Sequence, residues 1–368
     1  MNIDASPVAL SVEGAADYLL GHGFIDAAAI LDGGLSITAV ARRNRNLIVQ
    51  GGDRRGFVLK QPEPAAPAGN RNSIAVEARF YLGLRDNKHG DLASLVPRCI
   101  AFDPDSALLV IEYLHEHQTL AARFGYIEPE HLPIALWRRV GAAVAAVHES
   151  SYPAAGHHDD EQRSAPAAFG AHQPPPIWLQ TATSAALTLL GAVQSSVAIC
   201  EGITASAQRW RDDAFIHGDM RLDNILYAPE DLRLIDWELC QRGDSTWDVA
   251  SVIADLIVLW LHGAHPHGAA RVEPTLDTGS WSVYQAAIRS LWYGYSASRE
   301  GGRRPPTDKL AGYAAVRLVQ TAFEWAAVSA DRLPFAFTLL QVAENILIDP
   351  HKAATQLLAI TAPDLGGR

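Results

Sequence analysis

Cysteine is scarce in this chain. Cys99, Cys200 and Cys240 are odd in number and widely spaced, which gives neither a disulfide framework nor a zinc pattern and fits buried, reduced thiols. Positive charge is scarce too: 30 Lys and Arg against 41 Asp and Glu leave a net charge of -11. No long block of Lys or Arg offers a track for a phosphate backbone, so no nucleic acid partner is expected. An acidic balance is compatible with a cationic substrate but is common in soluble enzymes. The N-terminal residues lack a basic region followed by an apolar core, so no signal peptide is expected. The most apolar stretch, Val249 to Leu261, holds Asp255 and is too short to span a bilayer. No membrane partner and a cytoplasmic location follow as expectations. Internal repeats and extended low-complexity tracts are also missing.

What is present suffices for one large domain or two lobes with real cores, at 368 residues and 48% hydrophobic. Ser11 is a candidate N-cap for a short helix over 11–20, ended by Gly21-His22-Gly23 and expected on the outside of the first lobe. Leu35 to Ala41, Leu47 to Gln50 and Gly56 to Gln61 read as an antiparallel meander. Its first connection, Arg42 to Asn46, is basic rather than glycine-rich, and reads either as a solvated hairpin tip or as an anion-binding turn. Lys60 ends the third strand. Beyond a Pro- and Gly-rich loop over 62–72, Ser73 is placed as the cap of a helix in which Ile74, Glu77 and Tyr81 share one stripe. A carboxylate among apolar neighbours wants a cation, and Lys60 is the nearest candidate.

Ala107 to Glu112 reads as a strand, and with Tyr113-Leu114 after it suits a connection between two lobes. Leu132 to Ser150 reads as the first long helix of a mostly α second half, with His148 as a core or capping histidine. The cluster His157-His158-Asp159-Asp160-Glu161 lies in a loop over 151–176. Its residues are adjacent rather than at metal-binding spacing, so a solvated loop is favoured. Beyond Val249 the pattern is helical, with loops at 263–280 and 299–307. Trp260, Trp281, Trp292 and Trp325 are expected in the core or a cleft wall.

The most informative stretch runs from Ala214 to Val249. Ile225 to Ala228 and Leu232 to Ile235, separated by Pro229-Glu230-Asp231, form a hairpin pattern. That places Asn224 and Asp236 at its open end, roughly 5 Å apart across the ladder. An amide oxygen and a carboxylate so placed can share one Mg²⁺. Asp219 sits in the loop leading into the hairpin, where it can receive a proton from a hydroxyl.

These residues carry a family resemblance. HGDMRLDN at 217–224, followed by IDWE at 235–238, resembles the aminoglycoside phosphotransferase and choline kinase-like kinases, distant relatives of protein kinases. The resemblance covers about Leu35 to Ala250, with Lys60, Glu77 and the strand at 107–114 in the family's order. It implies an α+β, two-lobed protein kinase-like fold: a small antiparallel-sheet N-lobe, residues 1–112, and a larger α-rich C-lobe, residues 113–368, with ATP in the cleft. Asp219 is then the catalytic-loop aspartate, and Asn224 and Asp236 hold Mg²⁺. Lys60 contacts the nucleotide phosphates, positioned by Glu77. Asn44 corresponds approximately to the nucleotide-loop asparagine, and backbone groups of Glu112 and Leu114 bond the adenine edge. His217 and Asp248 brace the catalytic loop. Glu238 is open to three readings: an approach to a second Mg²⁺, to a basic substrate, or a structural ion pair.

The implied activity is transfer of the γ-phosphate of ATP to a hydroxyl-bearing small molecule or peptide. The acceptor stays open among an antibiotic such as an aminoglycoside, the Ser or Thr of a ribosomal (lanthipeptide-like) natural-product precursor with a partner lyase, and a hydroxyacyl-CoA. The alternative from another class is a nucleotide-binding pseudokinase scaffold.

Overall fold

The computed structural model describes residues 10–31, 33–41, 44–51, 56–63, 68–85, 90–125, 132–152, 165–263, 278–299 and 304–360. The chain forms two compact units, Met1–Gln118 with Leu226–Cys240, and Thr119–Ile225 with Gln241–Arg368. The first unit is thus discontinuous in sequence, whereas a single division after residue 112 was expected.

In the first unit, α1 (Val12–Gly21) is capped by Ser11, whose hydroxyl accepts the Gly14 N–H at 3.0 Å. α2 (Ala27–Leu31) leads to the expected meander of β1 (Ser36–Ala41), β2 (Arg45–Gln50) and β3 (Gly56–Gln61). Then come α3 (Ala68–Leu84), α4 (Gly90–Ser94), β4 (Cys99–Asp103) and β5 (Leu108–Glu112). The five strands pair antiparallel in the order β1-β2-β3-β5-β4.

Alternation along the strands sends Leu47, Val49, Leu59 and Val110 into one core, which Ala15 and Leu19 of α1 complete. α1 packs on the outside of the first unit, as expected, with Ala15 and Leu19 buried in that core and most of its other residues exposed or half-buried. Each large apolar side chain so buried contributes about 1.5–3 kcal/mol. The same alternation turns Lys60, next to Leu59, away from that core. α3 begins at Ala68, so Ser73 lies inside the helix rather than at its cap, and its hydroxyl accepts from the Asn44 amide at 3.2 Å.

β6 (Gln118–Thr119) marks the division, and Thr119 caps α5 (Leu120–Phe124) by accepting the Ala122 N–H. α6 (Ile134–Glu149), α7 (Pro176–Thr181), α8 (Ser184–Ser195), α9 (Val197–Gln208) and β7 (Ala214–Ile216) follow. The hairpin of β8 (Ile225–Ala228) and β9 (Asp231–Leu234) belongs almost wholly to the first unit. The chain returns through β10 (Gln241–Gly243), antiparallel to β7, into α10 (Ser245–Gly263), α11 (Thr278–Ala297), α12 (Thr307–Val328), α13 (Leu333–Ile348) and α14 (Pro350–Lys352).

Two glycines let α6 and α11 meet backbone to backbone. A Cβ on Gly141 would fall on the Leu291 carbonyl, and one on Gly294 on the Arg138 carbonyl. α10 is longer than the apolar stretch read from the sequence and meets the length and composition of a membrane span. Yet 67% of its most apolar stretch is buried within the protein, and its Asp255 accepts the Leu222 N–H at 2.8 Å. It is a core helix. The three cysteines are free thiols, and Cys240 alone is buried. Trp281 and Trp292 are core residues, with Trp260 tilted against Trp281 at 4.5 Å. His157 to Glu161, Arg42 and Arg43 lie outside the described residues.

Candidate active site

Functional side chains gather at one place in each unit. In the first, Lys60 of β3 reaches Glu77 of α3, with Nζ at 2.9 and 2.6 Å from the two carboxylate oxygens, and Asp236 at 2.7 Å. Lys60 is 6% exposed and Glu77 0%. Burial alone would lower the Lys60 pKa, but the Glu77 and Asp236 carboxylates overcome it and hold the ammonium above its usual value. Burial pushes Glu77 up to about 7 against the pull of Lys60, and Asp236 adds to the rise.

Asp236 follows β9 in left-handed backbone geometry, φ 70°, ahead of a 3₁₀ turn over Trp237–Leu239. That turn is locked by stacking of Trp237 on Phe80 of α3 at 4.0 Å, by the Trp237 indole N–H donating to the Leu234 carbonyl, and by its backbone N–H donating to Glu77. Asn44 is buried and its amide donates to Glu238 at 2.6 Å. Glu238 therefore accepts from an amide of the β1–β2 connection, a partner that none of its sequence readings names. Glu112 pairs with Arg98 at 3.2 Å through its side chain, while its backbone N–H donates to the Arg98 carbonyl. The Leu114 carbonyl accepts from His117.

In the second unit, Asp219 and Asn224 are brought together. The Asn224 amide nitrogen donates to the Asp219 carbonyl at 2.9 Å and to its carboxylate at 3.3 Å. Asn224 closes a 3₁₀ turn over Leu222–Asn224 rather than beginning the strand. The loop is braced from beneath by Asp248, which is fully buried and accepts the backbone N–H groups of His217 at 2.8 Å and Gly218 at 3.0 Å. His217 Nδ1 in turn accepts the Asp219 N–H at 3.3 Å. Gly218 adopts φ 82°, a left-handed turn that a side chain would strain, and its carbonyl accepts from the Trp247 indole.

Three residues of this cluster have partners that sequence reasoning does not reach. His148 is a core histidine as expected, but its ring nitrogens also lie 3.0 Å from the Tyr295 hydroxyl and 3.1 Å from Asp248. The close glycine packing of α6 on α11 puts Tyr295 there. Arg317, at 2% exposed, lies 3.4 Å from the Asp219 carboxylate and 3.5 Å from Glu324, and Glu324 meets Arg221 of the loop that carries Asp219 at 3.2 Å. One signal was available: Arg317 and Glu324 are two helical turns apart, the only charges between Leu310 and Val328 of a mostly apolar helix, and a buried charge demands a partner.

A model of the phosphotransferase enzyme family matches residues 36–277, well over half of the chain. The fold resembles that of choline kinase from Cryptosporidium parvum Iowa II, with TM-score 0.52 and 11% identity over 94% of this chain and 99% of that one. A choline/ethanolamine kinase family protein from Mesorhizobium loti aligns with TM-score 0.48 and 15% identity, over 94% and 95% of the two chains. In sequence, a stretch of 83 residues is 34% identical to acyl-CoA dehydrogenase family member 11 of Pongo abelii. That stretch is 22% of this chain and 9% of that protein, so the match spans a small fraction of the relative's length. Sheet, helices and family match agree on a kinase-like α+β fold, and the chain belongs to the phosphotransferase enzyme family.

Proposed function

We propose that this chain transfers the γ-phosphoryl group of Mg²⁺-bound ATP to the hydroxyl of a small molecule. The observation that carries the reading is Lys60, a buried ammonium gripped by Glu77 at 2.6 Å and Asp236 at 2.7 Å. Buried ion pairs add little net stability, so such a cluster is better explained by use. A fixed ammonium that meets phosphate oxygens is that use.

Each unit holds a side chain of the chemistry that Mg²⁺ takes. Asp236 offers a carboxylate, and Asn224 an amide whose nitrogen is engaged with Asp219, leaving the oxygen for a hard cation. When bound, Mg²⁺ neutralises charge on the phosphoryl oxygens. In this reading the alcohol oxygen attacks the γ-phosphorus, the bond to the β,γ-bridging oxygen breaks, and Asp219 takes the hydroxyl proton. A base so placed contributes roughly 10²- to 10⁴-fold. Lys60 steadies the phosphates, Glu77 fixes Lys60, and the backbone of Glu112 and Leu114 is assigned to the adenine edge.

A second reading, with a hydroxyacyl thioester as acceptor, draws support from the 83-residue similarity to the acyl-CoA dehydrogenase family protein. The test is ADP release and phosphate mass gain across a library of alcohols, with Asp219→Ala alongside. The expected result is transfer by the wild type, and loss of transfer with nucleotide binding retained in the variant. Undiminished transfer by Asp219→Ala would remove the reading.

A further inference from the structure

The second unit contains an open cavity of about 790 Å³, within the range that engulfs a drug-sized ligand. Its floor includes Arg221, Leu222 and Asp223, residues of the same short loop as Asp219. One wall is apolar: Val258 and Leu259 of α10, Trp325 of α12 and Phe335 of α13. The Trp325 and Phe335 rings are 4.5 Å apart, and His262 packs edge-on against both. The Arg332 guanidinium covers Trp325 at 4.9 Å from the ring centroid.

Charge in the cavity is largely matched from within. Its lining presents two arginines, Arg221 and Arg332, and three aspartates, Asp223, Asp255 and Asp331. Arg221 lies 3.7 Å from Asp223, and Asp255 is engaged with the Leu222 N–H. Asp331 stands next to Arg332 at the exposed rim. Several free carboxylates, as a polyamine would need, are not on offer among the described lining residues. One polar atom is left over: the Thr321 hydroxyl lines the cavity, the residue is 2% exposed, and Oγ1 has no hydrogen-bond partner among the described residues. A buried hydroxyl in that condition calls for a ligand group or a water.

We infer that this cavity is the acceptor site and takes an alcohol with a broad apolar or aromatic face and at most one positive charge, in preference to a polycationic aminosugar. The inference rests on the phosphotransferase reading and deepens it. The apolar face lies against Trp325 and Phe335, and Thr321 meets a polar group of the ligand.

The test is binding of 8-anilinonaphthalene-1-sulfonate, an aromatic probe without positive charge, to the full chain without ATP, followed by fluorescence. Saturable one-site binding is expected, about tenfold weaker in Trp325→Ala and in Thr338→Trp, which fills the cavity from its exposed side. Trp325→Phe should bind as the wild type does, and millimolar kanamycin should leave the probe in place. Absence of saturable binding, wild-type affinity in both Trp325→Ala and Thr338→Trp, or displacement by kanamycin overturns the inference. Probe binding needs no nucleotide. A chain that binds the probe yet releases no ADP with any alcohol therefore removes the phosphotransferase reading alone, whereas efficient phosphorylation of kanamycin removes this inference alone.

Discussion

The Arg317 guanidinium stands 3.4 Å from the Asp219 carboxylate, close enough for strong attraction, while its Nε and Nη2 make no well-aligned hydrogen bond with any of the described residues. A charge this deep in a helix is expensive unless it is used. Its other neighbour, Glu324, is shared with Arg221, so one carboxylate of α12 ties the helix to the loop that carries Asp219.

Arg317→Met keeps the volume and removes the charge. Because Glu324 retains Arg221 as a partner, the fold should survive with a small change in unfolding free energy. Turnover should drop by about 10- to 100-fold, since a base held slightly out of line loses that much. Nucleotide affinity should stay the same, and Arg317→Lys should recover part of the loss. Steady-state kinetics with nucleotide titration checks this; equal kcat in Arg317→Met and wild type would leave Arg317 a packing residue.

Lys60→Ala has a different signature. It leaves Glu77 and Asp236 close together without their cation, and stripping one partner from a buried pair destabilises by about 3–5 kcal/mol. Lys60→Ala combined with Glu77→Gln should be more stable than Lys60→Ala alone, because the stranded charge is gone. Denaturant unfolding of the two single variants and the double variant measures the coupling directly. Additive losses would mean that the pair does not interact.

The Lys60–Glu77 pair was legible because both of its signals are local: alternation along a strand, and a carboxylate on an apolar helical stripe. The Ser11 cap and the 225–234 hairpin were legible for the same reason. The start of α3 was not, since Ser73 satisfies the local capping rule while the helix begins a turn earlier and Ser73 instead accepts from Asn44. Arg317 and Glu324, and the partners of His148, were missed because those partners are distant in sequence and only tertiary packing joins them. A lone histidine closing a helix gives no sign that Asp248 waits at the other face of its ring. The acceptor cavity was hidden for the same reason, being assembled from α10, α12, α13 and the catalytic loop.

Glu77 also predicts a pH dependence. Its folded value, about 7, lies above the ordinary 4.5, so between those limits the native state holds the proton more tightly than the unfolded chain. The contribution is therefore present below pH 4.5 and is lost as the pH rises to about 7. At about 1.4 kcal/mol per pH unit the change amounts to no more than about 4 kcal/mol. Unfolding without nucleotide at intervals from pH 4.5 to 8 should show this slope in the wild type and a flatter curve in Glu77→Gln. Identical slopes would assign the dependence to other groups.

Gly141 and Gly294 let α6 and α11 approach so closely that a methyl group on either would meet a backbone carbonyl of the other helix, and a backbone cannot swing aside as a flexible side chain can. Gly141→Ala should therefore push the helices apart, at about 1–3 kcal/mol. The shift carries Tyr295 away from His148, and His148 is what stands behind Asp248 and the N–H groups of His217 and Gly218. Turnover should fall even at temperatures where the variant is fully folded. The comparison that isolates the route is Tyr295→Phe, which removes the hydroxyl bonded to His148 and leaves the helix spacing intact. If the loop is held through this chain of contacts, Tyr295→Phe reproduces part of the kcat loss with little loss of stability. If Tyr295→Phe has wild-type kcat while Gly141→Ala does not, the helix spacing acts on the loop by another path.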